Sequence, residues 1–575
     1  MMYLAGAWLV LQVADTVSPW LGLSDAAGRI LLFVLAVGIV PVAVVSWLFE
    51  WTPDGIRFDD EVEVDAAGTV VARRRMDRVI IGILSIAVVY FAVDKFILDA
   101  NQTVPDSGSR SIAVLPFEDI SPGGDQAYLG NGIADELRLE LQRLDGLRVA
   151  GRTSSNAYAH EDASTIGEVL NVESLLEGSV RKDGDRIRIT VQLTNLADGF
   201  TLWSRRFDRG LDKIFEMQEE IATEVAGRLG VTLGVGGVNA FHGAGTRNID
   251  AYEAYLKAPF GPNPGGNEGA ITLLENAVQL DPNYGAAWSM LALRVLNRTW
   301  DADVDEAPQI VDEAHKLALR GAELEPESGH TQAALAFIEM VRFDWVAAEQ
   351  RAVRALELLA DRPRAEGQAL ILMRSGRMDE AEKKFLTAVD IEPIDGRPHG
   401  QIWHLYLAKR KFAESEEVAG WQPEIEVIHN NLDIAFNRED PEVLEAAIRA
   451  LPETDLSFVH LYGDLLTVFD STEASLALLR RVYADERAQW PRKWQDIAMA
   501  AAYFGDPEFS LQVKSEEIHA NPTRIASIWY PVMSEVRQLP AFKDFVTEIN
   551  LVDYWRTYGW ADACRPLGDT DFACT

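Results

Sequence analysis

At 575 residues the chain is too long for one hydrophobic core, so several structural units are expected. A net charge of −36 and an isoelectric point near 4.6 exclude a nucleic-acid binder, because phosphate contacts need lysine and arginine. Cys564 and Cys574 are the only cysteines, too few for a zinc framework without a nearby histidine pair.

In chain order, residues 2–17, 30–49 and 79–98 are predicted transmembrane helices within a membrane region spanning 1–99. The run 30–49 carries no charge through Phe49 and is long enough to cross a bilayer core at about 1.5 Å per residue. Trp8, Trp20, Trp47 and Trp51 fall where interfacial aromatics belong. The connection between the second and third runs holds Arg57, Arg73, Arg74, Arg75 and Arg78, so the positive-inside rule puts it in the cytoplasm. Three crossings then leave the N-terminus cytoplasmic and everything after about residue 100 periplasmic, at the inner membrane of a Gram-negative bacterium.

A polar linker follows, and residues 111–231 then alternate period as an α+β domain does. Residues 111–117 and 147–150 read as short buried strands, and 133–144 as a helix with Leu137, Leu141 and Leu144 on one face. Residues 165–172 read as a helix opened by a capping box of Thr165 and Glu168. Residues 174–181 and 186–194 flank Lys182-Asp183-Gly184-Asp185 as a hairpin, its Asp-Gly step favouring a turn that joins twisted strands, with Ile187, Ile189, Val191 and Leu193 alternating on one face. Residues 201–207 add a strand, and 214–229 an amphipathic helix.

Five motifs stand in one order here: Leu115-Pro116-Phe117, Gly132-Ile133-Ala134-Asp135-Glu136-Leu137, Leu176-Glu177-Gly178-Ser179-Val180, Leu202-Trp203-Ser204 and Gln218-Glu219-Glu220-Ile221-Ala222. Together they resemble the TolB-like (FlgO-like) module of bacterial membrane proteins that precedes tetratricopeptide repeats. Phe49-Glu50-Trp51-Thr52-Pro53-Asp54-Gly55 is similar to the membrane leader of that group, and Tyr554-Trp555-Arg556 with the two cysteines to its tail. Members of the group often carry a cytoplasmic cyclase or winged-helix domain ahead of the membrane span. Because this sequence starts at the first span, the resemblance implies neither activity here.

A glycine-rich linker, 232–248, leads to a solenoid predicted over 249–545. Asp281-Pro282-Asn283-Tyr284, Leu324-Glu325-Pro326 and Ile391-Glu392-Pro393 sit in phase with a period of about 34 residues, that of the tetratricopeptide helix–turn–helix. About eight helical pairs are expected, with the pattern fading beyond Phe412. Trp288, Trp403, Tyr406 and Tyr503 fall on inner helices and read as inter-repeat packing. Residues 546–575 form a C-terminal cap; in an oxidising periplasm Cys564 and Cys574 favour a disulfide over two free thiols.

Recognisable catalytic and metal-binding motifs are absent from the sequence. Asp301, Asp303, Asp305 and Asp312 have the spacing of a calcium loop, but Glu306 replaces its glycine. His399 and His404 do not share a helix face. There is no Walker loop, nucleophile elbow or zinc-protease motif. The expectation is thus a multidomain chain: transmembrane helices, an α+β domain, then an all-α tetratricopeptide-type solenoid. Its partners are a protein or peptide and the lipid bilayer, with no nucleic acid and no small-molecule substrate. No catalytic, cofactor-binding or metal residues are predicted, no cofactor is expected, and the chain reads as a non-enzymatic periplasmic scaffold. The alternative is a sensor acting on a separately encoded cytoplasmic cyclase or regulator.

Overall fold

The structure, a computed structural model, describes residues 49–52, 55–58, 110–142, 144, 146–230, 245–260, 265–300, 302, 305–359, 365–391, 396–420, 424–452, 457–486, 494–568 and 570–575. Two units separate at residues 109 and 110. In the first, β1 (Phe49–Thr52) and β2 (Gly55–Phe58) form an antiparallel hairpin with Thr52 opposite Gly55. The predicted spans lie outside the described residues, apart from Phe49, which opens β1 instead of closing a helix. Among the described residues no helix is long and apolar enough to cross a membrane.

The second unit begins with a sheet of β3 (Arg110–Val114), β4 (Glu118–Asp119), β5 (Leu147–Val149), β6 (Ser174–Asp183), β7 (Arg186–Asn195) and β8 (Thr201–Gly210). Its order is β5-β3-β6-β7-β8, with β4 beside β6; β3 runs parallel to both neighbours, and β6 to β8 run antiparallel. Its helices are α1 (Ala127–Gln142), α2 (Arg152–Ala157), α3 (Ala163–Leu170) and α4 (Ile214–Arg228). One face packs Ile187, Ile189, Val191 and Leu193 against Leu129, Ile133 and Leu137 of α1 and Met217, Ile221 and Val225 of α4. The other packs Ala113, Leu115 and Leu175 against Ile166 of α3.

Two local readings change. The four-residue β6–β7 loop tightens to Gly184-Asp185, because Lys182 and Asp183 join β6 and Asp183 pairs with Arg186, while Gly184 takes φ 59°. The α3 cap is Asp162, whose carboxylate accepts from the Thr165 N–H, so Thr165 is already inside the helix and no Thr165/Glu168 box forms.

Among the described residues eight helical hairpins follow: α5 (Ile249–Phe260) with α6 (Gly266–Leu280), α7 (Gly285–Leu296) with α8 (Ala307–Leu324), α9 (Gly329–Val341) with α10 (Trp345–Leu358), α11 (Ala365–Arg374) with α12 (Met378–Ile391), α13 (Gly396–Ala408) with α14 (Phe412–Ala419), α15 (Glu424–Arg438) with α16 (Pro441–Arg449), α17 (Ser457–Leu466) with α18 (Thr472–Glu486), and α19 (Trp494–Tyr503) with α20 (Pro507–Ala520). The repeat is marked in the backbone more regularly than in the side chains. Phe343, Gly376, Arg410, Glu439 and Gly505 each take positive φ at the turn between a pair's two helices. Asp344, Asp440 and Asp506 follow three of these positions and cap the second helix.

Helix α5 belongs to two cores at once. Ala251, Ala254 and Ala258 face the solenoid, while Tyr252 and Leu256 enter the core of the α+β domain. The Tyr252 hydroxyl accepts from the Gln218 amide at 2.9 Å, and Lys182 pairs with Glu253. The boundary expected at residues 232–248 therefore joins two bodies that share a helix.

The last hairpin ends at Ala520, short of the predicted 545. Beyond it lie two 3-10 turns (Pro522–Trp529 and Pro531–Met533), α21 (Ser534–Gln538), α22 (Pro540–Glu548), α23 (Leu551–Tyr558) and the hairpin of β9 (Cys564–Leu567) and β10 (Asp571–Cys574). This return segment does not extend the stack. The 3-10 turns lie against α11, α13, α15 and α19, the first helices of four pairs, and α23 packs on α10.

Candidate functional site: a self-filled inner face, an open cleft and a buried polar cluster

The inner helices of such an array are where a partner would be gripped, and here the chain's own tail grips them. Trp529 donates its indole N–H to the Arg374 carbonyl at 2.9 Å, and Trp555 donates to the Ser375 carbonyl at 2.8 Å. The Asp562 N–H reaches the Gly376 carbonyl at 2.9 Å, so the whole α11–α12 turn is held. That turn admits the tail only because residue 376 has no side chain: a Cβ there would lie 2.7 Å from both Ala561 and the Trp529 ring. One repeat earlier, Trp345 donates to the Ile549 carbonyl at 2.7 Å, and the Tyr554 hydroxyl donates to Glu349 at 3.2 Å. Further along, His404 contacts the Tyr530 hydroxyl, and Asn437 accepts from the Val532 N–H at 3.0 Å. Cys564 and Cys574 form a disulfide across β9 and β10, fixing Phe572 edge-on to Trp555 with ring centroids 5.9 Å apart.

Beside the tail a cleft of about 660 Å³ stays open. Its apolar lining includes Phe469, Tyr503 and Phe504, and its acidic lining Glu439, Asp470 and Glu535. Arg410 already pairs with Glu439 at 3.2 Å.

Beneath the 3-10 turns, α15, α17, α19 and α20 enclose a polar cluster. His429 and Asp433 are four residues apart on α15 and so share a face. His429 meets Asp496 at 3.0 Å, and the Tyr462 hydroxyl donates to the same carboxylate at 2.7 Å. Gln495 donates to Asp433 Oδ2 at 3.0 Å, while Asp433 Oδ1 has no hydrogen-bond partner although the residue is fully buried. Burial pushes the Asp433 carboxyl up to about 7. Burial pulls the His429 imidazole down, but Asp496 and Asp433 outweigh it and hold it up at about 9. Nearby, Lys514 and Glu517 form an ion pair in which each side chain is 1% exposed, and Arg524 reaches Glu517 at 3.3 Å. Burial lowers the Lys514 ammonium, against the pull of Glu517.

A separate buried acid carries a pH prediction. Glu339 of α9 is 6% exposed, its Oε2 has no hydrogen-bond partner, and Arg351 stands 3.8 Å away. Burial pushes its carboxyl up to about 7, with Arg351 opposing. Because this is above the free value of 4.5, the folded chain keeps the proton longer than the unfolded one, and stability falls as pH rises from about 4.5 to about 7. Glu339→Gln is expected to raise the unfolding free energy by about 1–2 kcal/mol at pH 8, and by little at pH 4, in paired denaturant titrations.

The remaining sequence candidates are dispersed. Asp301 and Asp303 lie outside the described residues, and Asp312 sits on α8, 3.6 Å from Arg342. Trp403 stacks on half-buried His404 at 3.9 Å, and the side chain of His399 is outside the described residues. Trp288 donates to the Pro282 carbonyl at 3.0 Å and Tyr406 lies under Lys411, both structural roles, whereas Tyr503 packs on Phe436 and Phe504 and also lines the cleft. The His429/Asp433 pair was open to detection from its spacing, but nothing in the sequence joins it to Asp496.

No family model matches the chain. A curated relative, "Putative adenylate cyclase 3" of Rhizobium meliloti (strain 1021), is 32% identical over 242 residues, which is 41% of this chain and 41% of the relative. The chain thus spans well under two thirds of that protein's length. Among solved structures, "Human IFIT1 dimer with m7Gppp-AAAA" aligns at TM-score 0.30 and 13% identity, over 53% of this chain and 77% of that one. "Crystal Structure of P58(IPK) TPR Domain at 2.5 A" aligns at TM-score 0.18 and 12% identity, over 55% and 94%. The solenoid assignment rests on the helical hairpins themselves. The expectation of a non-enzymatic chain is corrected by the curated relative, which bears the name of a cyclase.

Proposed function

We propose that the chain is a membrane-anchored interaction module whose solenoid binds a protein or peptide partner in the periplasm. The observation that carries the reading is the open cleft at the ends of the sixth, seventh and eighth hairpins: with the inner face filled by residues 522–575, this concavity remains. Aromatic walls and the carboxylates of Asp470 and Glu535 suit an extended segment bearing lysine or arginine, with the rings packing its stem and the acids meeting its head. The periplasmic placement draws on the three apolar runs, the arginine-rich connection and the disulfide. The cyclase relative favours a second reading of the same module, as the sensor of a transmembrane signalling system that controls nucleotide cyclisation.

Proximity labelling in the native bacterium tests both. Arg537 holds the Thr575 carbonyl at 2.7 Å, so the labelling enzyme belongs in the exposed Gly184-Asp185 turn and not after the C-terminus. A second insertion goes into residues 59–77. Envelope proteins captured by the first insertion, and lost when Asp470→Lys and Glu535→Lys are combined, support the scaffold. A cyclase or regulator captured by the second insertion supports the sensor. Cytoplasmic proteins labelled from the Gly184-Asp185 turn would overturn the topology.

A further inference from the structure

The cluster at the base of the sixth and eighth hairpins has the composition of a cation site. His429, Asp433 and Asp496 each offer one ligand atom, and these atoms lie within 4.8 Å of one another. Donor atoms around a single ion bound at roughly 2.0–2.2 Å stand at most about 4.4 Å apart, so the three side chains are near that arrangement and an ion would draw them slightly together. An imidazole with two carboxylates is a donor set for Zn²⁺, Mn²⁺ or Fe²⁺ more than for Ca²⁺, which prefers oxygen alone.

Burial gives an independent reason: Asp433 is fully buried and Asp496 is 1% exposed, and two carboxylates held together away from water favour a shared cation. Asp433 Oδ1 is a buried acceptor with no hydrogen-bond partner, the condition a metal ligand leaves behind when hydrogen bonding alone is counted. Gln495 on Asp433 Oδ2 and Tyr462 on Asp496 would hold the two carboxylates in place around the ion. The His429 side chain is 32% exposed, which supplies a route in.

We propose that His429, Asp433 and Asp496 bind one divalent transition-metal ion that fastens α15 to α19 beneath the tail. The same face of α15 continues to Asn437, which donates to the Asp433 carbonyl at 2.7 Å and receives the Val532 N–H. An ion that fixes α15 therefore also fixes the ledge on which the tail rests.

The test uses tag-free full-length protein in detergent, stripped with chelator and dialysed against Zn²⁺ or Mn²⁺. Elemental analysis is expected to find one ion per chain, with a higher melting temperature than the stripped protein and, with Co²⁺ as probe, a visible ligand-field band. Asp433→Asn preserves shape and the Gln495 contact, so it is expected to fold and, when stripped, to melt no lower than the stripped parent. It and His429→Gln should each weaken ion binding at least about 100-fold. No stoichiometric ion together with an unchanged melting temperature would overturn the proposal. Equal ion retention by both variants would overturn it as well.

Discussion

Trp555→Ala is expected to lower the unfolding free energy by about 3–5 kcal/mol, the largest effect of any single truncation in the tail. The side chain is 1% exposed, and its ring lies 6.0 Å from Trp529, 5.6 Å from Trp560 and 5.9 Å from Phe572. Removing it opens a cavity between two segments that local structure does not otherwise hold together, and it strips the Ser375 carbonyl of its donor at 2.8 Å. Trp555→Phe keeps most of the packing and loses only that bond, so about 1–2 kcal/mol is expected. Denaturant titration of the three proteins checks the order. If Trp555→Ala cost no more than an exposed substitution, the tail would not be docked as described.

Lys514→Met is expected to cost about 3–5 kcal/mol, because it leaves Glu517 charged in a site where its side chain is 1% exposed. Arg524 compensates in part, at 3.3 Å and with 18% of its own side chain exposed. Removing both partners, as Lys514→Met with Glu517→Leu, is expected to be milder than the single change, since the stranded anion is gone. Thermal melts of the two singles and the double give the coupling, expected to exceed about 1 kcal/mol. A double variant as damaged as the sum of the singles would mean that the pair contributes as two separate packing residues.

Local pattern carried much of the fold. Four alternating residues, Ile187 to Leu193, marked β7, and the in-phase Asp281-Pro282 and Glu325-Pro326 steps marked the ends of α6 and α8. The later repeats were harder to see because their turns keep the left-handed backbone without glycine, as at Arg410 and Glu439. Long-range placement was not legible. Trp529 and Trp555 look like ordinary core residues of a terminal cap, and only the fold shows their indoles reaching back about 150–180 residues to the α11–α12 turn. The polar cluster was missed for the same reason, as Asp496 arrives beside Asp433 only through the stacking of α19 against α15. Catalysis was excluded from motifs missing in this sequence, and the relative named as a cyclase, 32% identical over 41% of the chain, corrects that exclusion.

Residues 522–575 occupy the inner face of the solenoid, and the open cleft gains its significance from that occupancy. Hydrogen exchange with mass spectrometry on the full-length protein tests it most directly. The N–H groups of Val532 and Asp562, bonded to Asn437 and to the Gly376 carbonyl, are expected to exchange slowly and to lose protection together in Trp529→Ala/Trp555→Ala. Fast exchange at both amides in the parent chain would contradict the claim and leave the inner helices open to a partner.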